Sequence, residues 1–316
     1  MQTKKIVLKK NFIFTLIILL IILTAFSCQK STEDTELNNL LNQKNSYSRI
    51  ISLSPSTTEI LFALGLGKKV VGVTDFCNFP EHAKQKPKVG GYLNPNYEAI
   101  LLLKADIVII LPEQENVKKF LAELDLKYFT VNNKTIADIL SSIETIGNLC
   151  GAEQPARELL ADIQSRMQSI NQKASQLARP RVLISIGRTI GAGVLSDVYA
   201  AGKNTYYDEL INYAGGKNAL AKSKMSYPML SAEGIIHLNP EIIIDIVVDF
   251  EKQGVSEIEI KNDWDCVQDV SAVNNERIYV LGESYTVIPG PRFVLLLEEM
   301  ARIIHPEIWY LLKYYK

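Results

Sequence analysis

Apolar residues return at alternating steps of four and three along the middle of the chain. Ala156, Leu160, Ile163, Met167, Ile170, Ala174 and Leu177 fall on one face, while Gln154, Arg157, Asp162, Gln164, Arg166, Gln168 and Lys173 fill the other. This spacing predicts one amphipathic helix over 153–177, opened after Cys150-Gly151 and stopped at Arg179-Pro180. At about 1.5 Å per residue it reaches on the order of 36 Å, long enough to lie across two lobes.

The sequence on either side of this helix repeats one pattern. Residues 49–53 read as a strand, Ser54-Pro55-Ser56 as a loop, and the following helical pattern stops at Gly65 and Gly67. A strand over 70–74, a helix over 96–103, strands over 107–111 and 127–131 and a helix over 136–148 continue the alternation of a parallel sheet. After Pro180 the order restarts, with strands over 181–186, 242–246 and 277–281 and helices over 206–213, 231–238 and 292–304. Residues 98–109 align with 233–244 without gaps: Glu98 lies over Glu233, Ile100 over Ile235, Leu103 over Leu238 and Asp106 over Glu241. The expected organisation is an N-terminal α/β lobe over 49–151, a linking helix over 152–179 and a C-terminal α/β lobe over 180–316.

The N-terminus follows another pattern. Lys4, Lys5, Lys9 and Lys10 precede an apolar run from Phe12 to Phe26, the layout of an export signal over 1–27. Ala25-Phe26-Ser27-Cys28 resembles a bacterial lipobox, so Cys28 is the expected lipidation site. Residues 28–48 are polar and aperiodic and read as a tether. The chain of 316 residues has a formal net charge of −1; losing 1–27 removes four lysines and no acid, leaving about −5. That balance suggests no nucleic-acid partner, and none is expected. Cys77, Cys150 and Cys266 remain after Cys28, an odd number that gives no disulfide framework and leaves pairing of Cys77 with Cys150 open.

Two α/β lobes on one helix enclose a cleft, and ligands of open α/β sheets bind at the carboxyl ends of the strands. The loops expected there carry Ser54, Pro55, Phe76 and Tyr92 from the first lobe and Arg188, Tyr227, Tyr285 and Arg292 from the second. Catalytic and metal motifs are weaker. Gly187 to Ser196 follows a strand but lacks the last glycine and the later acid of a dinucleotide fingerprint, so a nicotinamide oxidoreductase is only a remote alternative. Asp197 and Asn204 spoil a P-loop around Gly202-Lys203. His82, His237 and His305 have no ligand spacing, and no nucleophile elbow occurs. No enzyme, cofactor or directly bound metal is expected.

Ile50-Ser-Leu-Ser-Pro-Ser-Thr-Thr-Glu59, Val73-Thr-Asp-Phe-Cys-Asn-Phe-Pro80, Val89-Gly-Gly-Tyr-Leu-Asn-Pro-Asn96 and Pro289-Gly-Pro-Arg292 with His305-Pro306 resemble the substrate-binding proteins of cobalamin and iron-siderophore ABC importers. The resemblance runs from Arg49 to Pro306. It implies two Rossmann-like lobes with mostly parallel sheets joined by one long rigid helix, and a lipid-anchored extracytoplasmic monomer that hands a metal chelate to a membrane permease and its ATPase. It further implies one surface glutamate per lobe for docking on permease arginines, here Glu98 and Glu233. Aromatic residues matching Phe76, Tyr92 and Tyr227 favour a corrinoid as the transported ligand. Haem binders place an iron-ligating tyrosine where Tyr92 stands, and siderophore binders carry cleft arginines, for which Arg188 and Arg292 are candidates; haem and ferric siderophores are therefore the alternatives. Leu111 departs from the tryptophan that cobalamin binders can carry there.

Overall fold

The computed structural model describes residues 47–307, which belong to one compact unit. The export segment 1–27, Cys28 and the tether up to residue 46 lie outside the described residues.

The first half contains β1 (Ile50–Ser52), α1 (Pro55–Ala63), β2 (Val70–Val73), α2 (Glu81–Lys84), α3 (Tyr97–Leu102), β3 (Ile107–Ile110), α4 (Glu115–Glu123), β4 (Tyr128–Thr130) and α5 (Ile136–Cys150). Its strands pair in the order β2-β1-β3-β4, all parallel. The all-apolar Ile107–Ile110 run is buried throughout, as a strand covered on both faces requires. Ile51, Leu53, Ile100, Val108, Ile110 and Leu121 form the core beside the sheet.

The linking helix α6 (Glu153–Ala174) follows, about 33 Å long at 22 residues. Its buried stripe is Ala156, Ile163, Met167, Ile170 and Ala174, as the periodicity predicts. The helix ends three residues before Leu177, because the Leu177 N–H closes back on the Ala174 carbonyl and the chain tightens out of the helix. At its start α6 lies so close to α5 that a Cβ on Gly147 would sit 2.5 Å from the Ala156 Cβ. Only glycine permits that approach.

The second half contains β5 (Arg181–Gly187), β6 (Val198–Ala200), α7 (Tyr206–Tyr213), β7 (Lys217–Asn218), β8 (Met229–Leu230), α8 (Ala232–Leu238), β9 (Ile242–Ile246), α9 (Glu257–Asn262), α10 (Ser271–Asn274), β10 (Ile278–Leu281) and α11 (Phe293–Ile304). The far part of α6 packs on α7 and α11, and Arg166 of α6 bonds Glu298 of α11 at 2.8 Å. Strands order β10-β9-β5-β6-β8, with β7 also on β5. The β10, β9, β5 and β7 pairings are parallel, but β6 runs antiparallel to both β5 and β8. The sheet is thus less parallel at this edge than the pattern suggests. The loop 188–197 is shorter than the crossover of about a dozen residues that a parallel return needs.

The aligned segments occupy matching places: α3 leads into β3 beside β1, and α8 leads into β9 beside β5. A shared lock accompanies them. Asp106 Oδ2 accepts the Arg49 N–H at 2.9 Å and Glu241 Oε2 accepts the Arg181 N–H at 2.9 Å. The Arg49 side chain then donates to the Leu103 carbonyl and the Arg181 side chain to the Leu238 carbonyl, at 2.6 and 3.3 Å. Each cation covers the carbonyl end of its helix, where the dipole favours positive charge.

Candidate functional site

A cleft of about 330 Å³ opens where the strands of the first half end. Ser54 leaves β1 and caps α1, its Oγ accepting the Thr57 N–H at 3.2 Å, which turns Pro55 and Ser56 toward the cleft. Phe76 follows β2 and is 60% exposed, beside the buried Cys77, whose sulfur lies 3.1 Å from both the Thr58 and Thr74 hydroxyls. Gly90, at φ +85°, makes the turn that presents Tyr92; a Cβ there would lie 2.8 Å from the Asn96 nitrogen.

One buried amide ties these loops together. Gln114 Nε2 donates to the Tyr92 carbonyl at 2.6 Å and to the Leu53 carbonyl at 3.1 Å, while its Oε1 accepts the Leu111 N–H at 2.8 Å. Asn133, after β4, donates to Ser56 Oγ at 3.0 Å. Val287, Ile288 and Pro289 supply the wall from the second half. Tyr206 and Tyr207 hold that wall from behind, both hydroxyls donating to the Thr286 carbonyl.

The two halves are latched beside the cleft. Arg292 reaches Glu59 in a bidentate pair, Nε to Oε2 at 2.9 Å and Nη2 to Oε1 at 2.5 Å, with the Glu59 side chain 2% exposed. Its guanidinium lies 3.8 Å from the Phe79 ring centre and 5.6 Å from that of Tyr285. Burial pushes the Glu59 carboxyl up, and the Arg292 bonds and charge only partly offset this. A further tie is the Ile136 N–H, which donates to Glu209 Oε2 at 2.6 Å.

Of the residues expected to meet ligand, Ser54, Pro55, Phe76 and Tyr92 line the cleft. Arg188 does not, and this corrects the sequence expectation. Its side chain is fully buried, bonding Asp245 and Asp263 and lying 5.4 Å from the Trp264 ring centre. A loop arginine looks available to solvent in sequence, but two buried carboxylates draw it inward. Arg292, the other candidate cleft arginine, is taken by Glu59. Tyr227 is 43% exposed and stands outside the lining, close enough to Tyr206 and Tyr207 to couple with them electrostatically. Tyr285 is also outside it, with its hydroxyl on Glu299.

Glu98 and Glu233 are exposed in the first turns of α3 and α8, each behind a capping side chain, Asn96 and Ser231. The Glu233 carboxyl sits below its usual range because its own N–H and the Ser231 hydroxyl bond it. Cys77 and Cys150 are both buried free thiols, so no bond joins them. The glycine-rich loop has its N–H groups occupied: Gly191 and Gly193 donate to the Asp263 carboxylate at 2.8 and 2.6 Å. A carboxylate of the chain itself sits where a dinucleotide would need to bind.

Sequence reasoning missed Glu113, which follows the end of β3 and lines the cleft. The Tyr92 hydroxyl donates to its Oε1. Burial raises the Tyr92 phenol pKa, and the hydrogen bond and charge of Glu113 raise it further. Among the described residues the lining contains no basic side chain, only apolar and aromatic residues, the Asn133 amide, hydroxyl groups and Glu113. A larger hollow of about 680 Å³ lies between Lys84 of the first half and Asp249, Lys252, Glu283 and Glu299 of the second. Six charged side chains of both signs line it around Phe250, whereas the smaller cleft carries one, so the smaller cleft is the candidate site for a flat apolar ligand.

The sequence profile of the family described as "Periplasmic binding protein" matches residues 50–285. An uncharacterized ABC transporter substrate-binding lipoprotein of Bacillus subtilis, YvrC, is 31% identical over 87% of this chain and 86% of its own. A vitamin B12-binding protein of Vibrio vulnificus is 27% identical over 80% of this chain and 88% of its own. Among solved structures, the apo form of the periplasmic heme-binding protein RhuT from Roseiflexus is similar at a TM-score of 0.68. It is 25% identical, over 82% of this chain and 98% of that one.

Proposed function

The chain belongs to the periplasmic binding protein family and is the substrate-binding component of an ABC transporter, and from that premise we propose that its cargo is a corrinoid of the cobalamin type. The observation that carries this reading is the cleft wall. Phe76, Tyr92, Pro55, Leu111 and Ile288 offer apolar and aromatic surface from both halves, with no basic side chain among them. A corrin ring is a broad, largely apolar macrocycle fringed with neutral amides, and aromatic faces and proline edges pack against it at low entropic cost. Ser56, Asn133 and Glu113 supply hydrogen-bonding partners for the amides. The similarity to a vitamin B12-binding relative supports the same class.

Haem is the second reading, favoured by the phenol of Tyr92 at the cleft and by a haem-binding relative. A ferric siderophore fits less well, because Arg188 and Arg292 are both engaged by carboxylates within the fold. Binding is reversible and noncovalent, and the protein carries its cargo unchanged.

Glu98 and Glu233 dock the two halves on the permease, which engages the ATPase. Two observations support this: both carboxylates are exposed, and each helix shows an apolar residue one turn later, Leu101 and Ile236, at 43% and 37% exposure. Helix electrostatics alone explains a first-turn acid, but not a matched pair with matched apolar companions. Cys28 carries the lipid that holds the monomer on the outer side of a bacterial membrane, in keeping with a relative named a lipoprotein. Cells whose cobalamin uptake depends on this chain test the assignment. Glu98→Ala with Glu233→Ala should abolish uptake while the purified variant binds cyanocobalamin as the parent does; undiminished uptake refutes the docking role.

A further inference from the structure

We propose that Glu113 sets the class of chelate the cleft accepts, by holding the Tyr92 hydroxyl and by opposing ligands that bring negative charge. This deepens the cargo reading above and rests on it.

The pair is built into the backbone. Gln114, the residue after Glu113, grips the Tyr92 carbonyl with its buried amide at 2.6 Å. The same amide accepts the Leu111 N–H at 2.8 Å, fixing the turn that carries Glu113. Tyr92 and Glu113 are thus placed by one buried side chain, and their contact is a consequence of the fold.

The charge has two effects. The Tyr92 hydroxyl is committed to Glu113, so an iron approaching that oxygen must break the hydrogen bond. A ligand carboxylate beside Glu113 would place two acidic groups together in a cleft where, among the described residues, no basic side chain lines the wall. Haem also brings two carboxylates, and catecholate or carboxylate siderophores bring more; each meets Glu113 while, among the described residues, the nearby Arg292 is held by Glu59. A ligand fringed with amide N–H donors meets the same carboxylate as a charge-assisted acceptor. Selectivity of this kind combines an attraction for one class with a repulsion of the other.

The test compares the mature chain, residues 28–316 with Cys28→Ser, with its Glu113→Gln and Glu113→Ala variants, titrating each with cyanocobalamin and with haem. In the parent, cyanocobalamin should bind and haem should give no iron-tyrosinate absorbance. In Glu113→Gln, haem affinity should rise at least tenfold, cyanocobalamin affinity should fall, and a tyrosinate band should appear that Tyr92→Phe abolishes. An unchanged denaturation midpoint in either variant assigns the effect to charge. Parental cyanocobalamin binding with an unaltered preference in both variants overturns the filter and leaves the cargo reading standing. Weaker haem binding in Glu113→Gln also overturns it, because Glu113 would then be assisting haem rather than opposing it. A parent that binds haem and no cyanocobalamin overturns cargo and filter together.

Discussion

Removing Arg292 tests how far the two halves depend on one ion pair. Its partner Glu59 is 2% exposed and Arg292 14%, so Arg292→Leu strands a carboxylate that water barely reaches. Breaking a buried pair from one side costs about 3–5 kcal/mol. At roughly 2–4 °C per kcal/mol for a chain of this size, the melting temperature should fall by at least about 6 °C. Urea denaturation of the parent, Glu59→Leu, Arg292→Leu and the double variant closes a thermodynamic cycle. The double variant should recover most of the loss, since two apolar side chains leave no stranded charge. The pH dependence has a defined sign. Burial raises the Glu59 carboxyl in the folded chain, so its favourable contribution is complete below about 4.5 and is lost as pH rises through the folded value. Without Arg292 that folded value moves higher, so the deficit of Arg292→Leu should be largest near neutrality and shrink toward pH 4.5. Single-variant losses below about 1 kcal/mol, or losses that simply add in the double variant, would refute the latch.

Arg188→Met should destabilise the second half by about 3–5 kcal/mol by leaving Asp245 and Asp263 buried and unpaired, which urea denaturation measures. Asp263 supplies an opposite pH signature to Glu59. Burial pushes it up, but Arg188 and the Gly191 and Gly193 N–H groups outweigh that and hold it below 3.8. Its stabilisation is therefore complete above about 3.8 and lost as pH falls through the lower folded value, so amide exchange at Gly191 and Gly193 should accelerate in that window. Gly147→Ala should cost roughly 1–3 kcal/mol by forcing α5 and α6 apart, since its Cβ would fall 2.5 Å from that of Ala156; a neutral thermal shift contradicts this packing.

The alternation of strands and helices and the linking helix were legible in sequence because apolar period tracks burial: Ile163, Met167 and Ile170 repeat as a stripe and are buried as one. The internal repeat was legible at Glu98 and Glu233, and its arginine-acid lock confirms in atoms what the alignment held in letters. Contacts between distant polar residues were not legible. Gln114 reads as a surface residue until three loops converge on it, and Glu59 and Arg292 stand 233 positions apart at the ends of separate motifs. Arg188 misled for the same reason, since its partners Asp245 and Asp263 lie on a later strand and turn. Glu113 carried a weak signal, the end of a parallel strand, which marks a place for function but not a residue type.

What enters the cleft decides the function. A calorimetric and absorbance titration of the mature chain, residues 28–316 with Cys28→Ser, with cyanocobalamin and with haem separately measures this. A corrinoid carrier should show saturable one-to-one binding of cyanocobalamin, lost or much weakened in Phe76→Ala, with haem inert. Saturable haem binding with a tyrosinate band and no response to cyanocobalamin would contradict a corrinoid cargo.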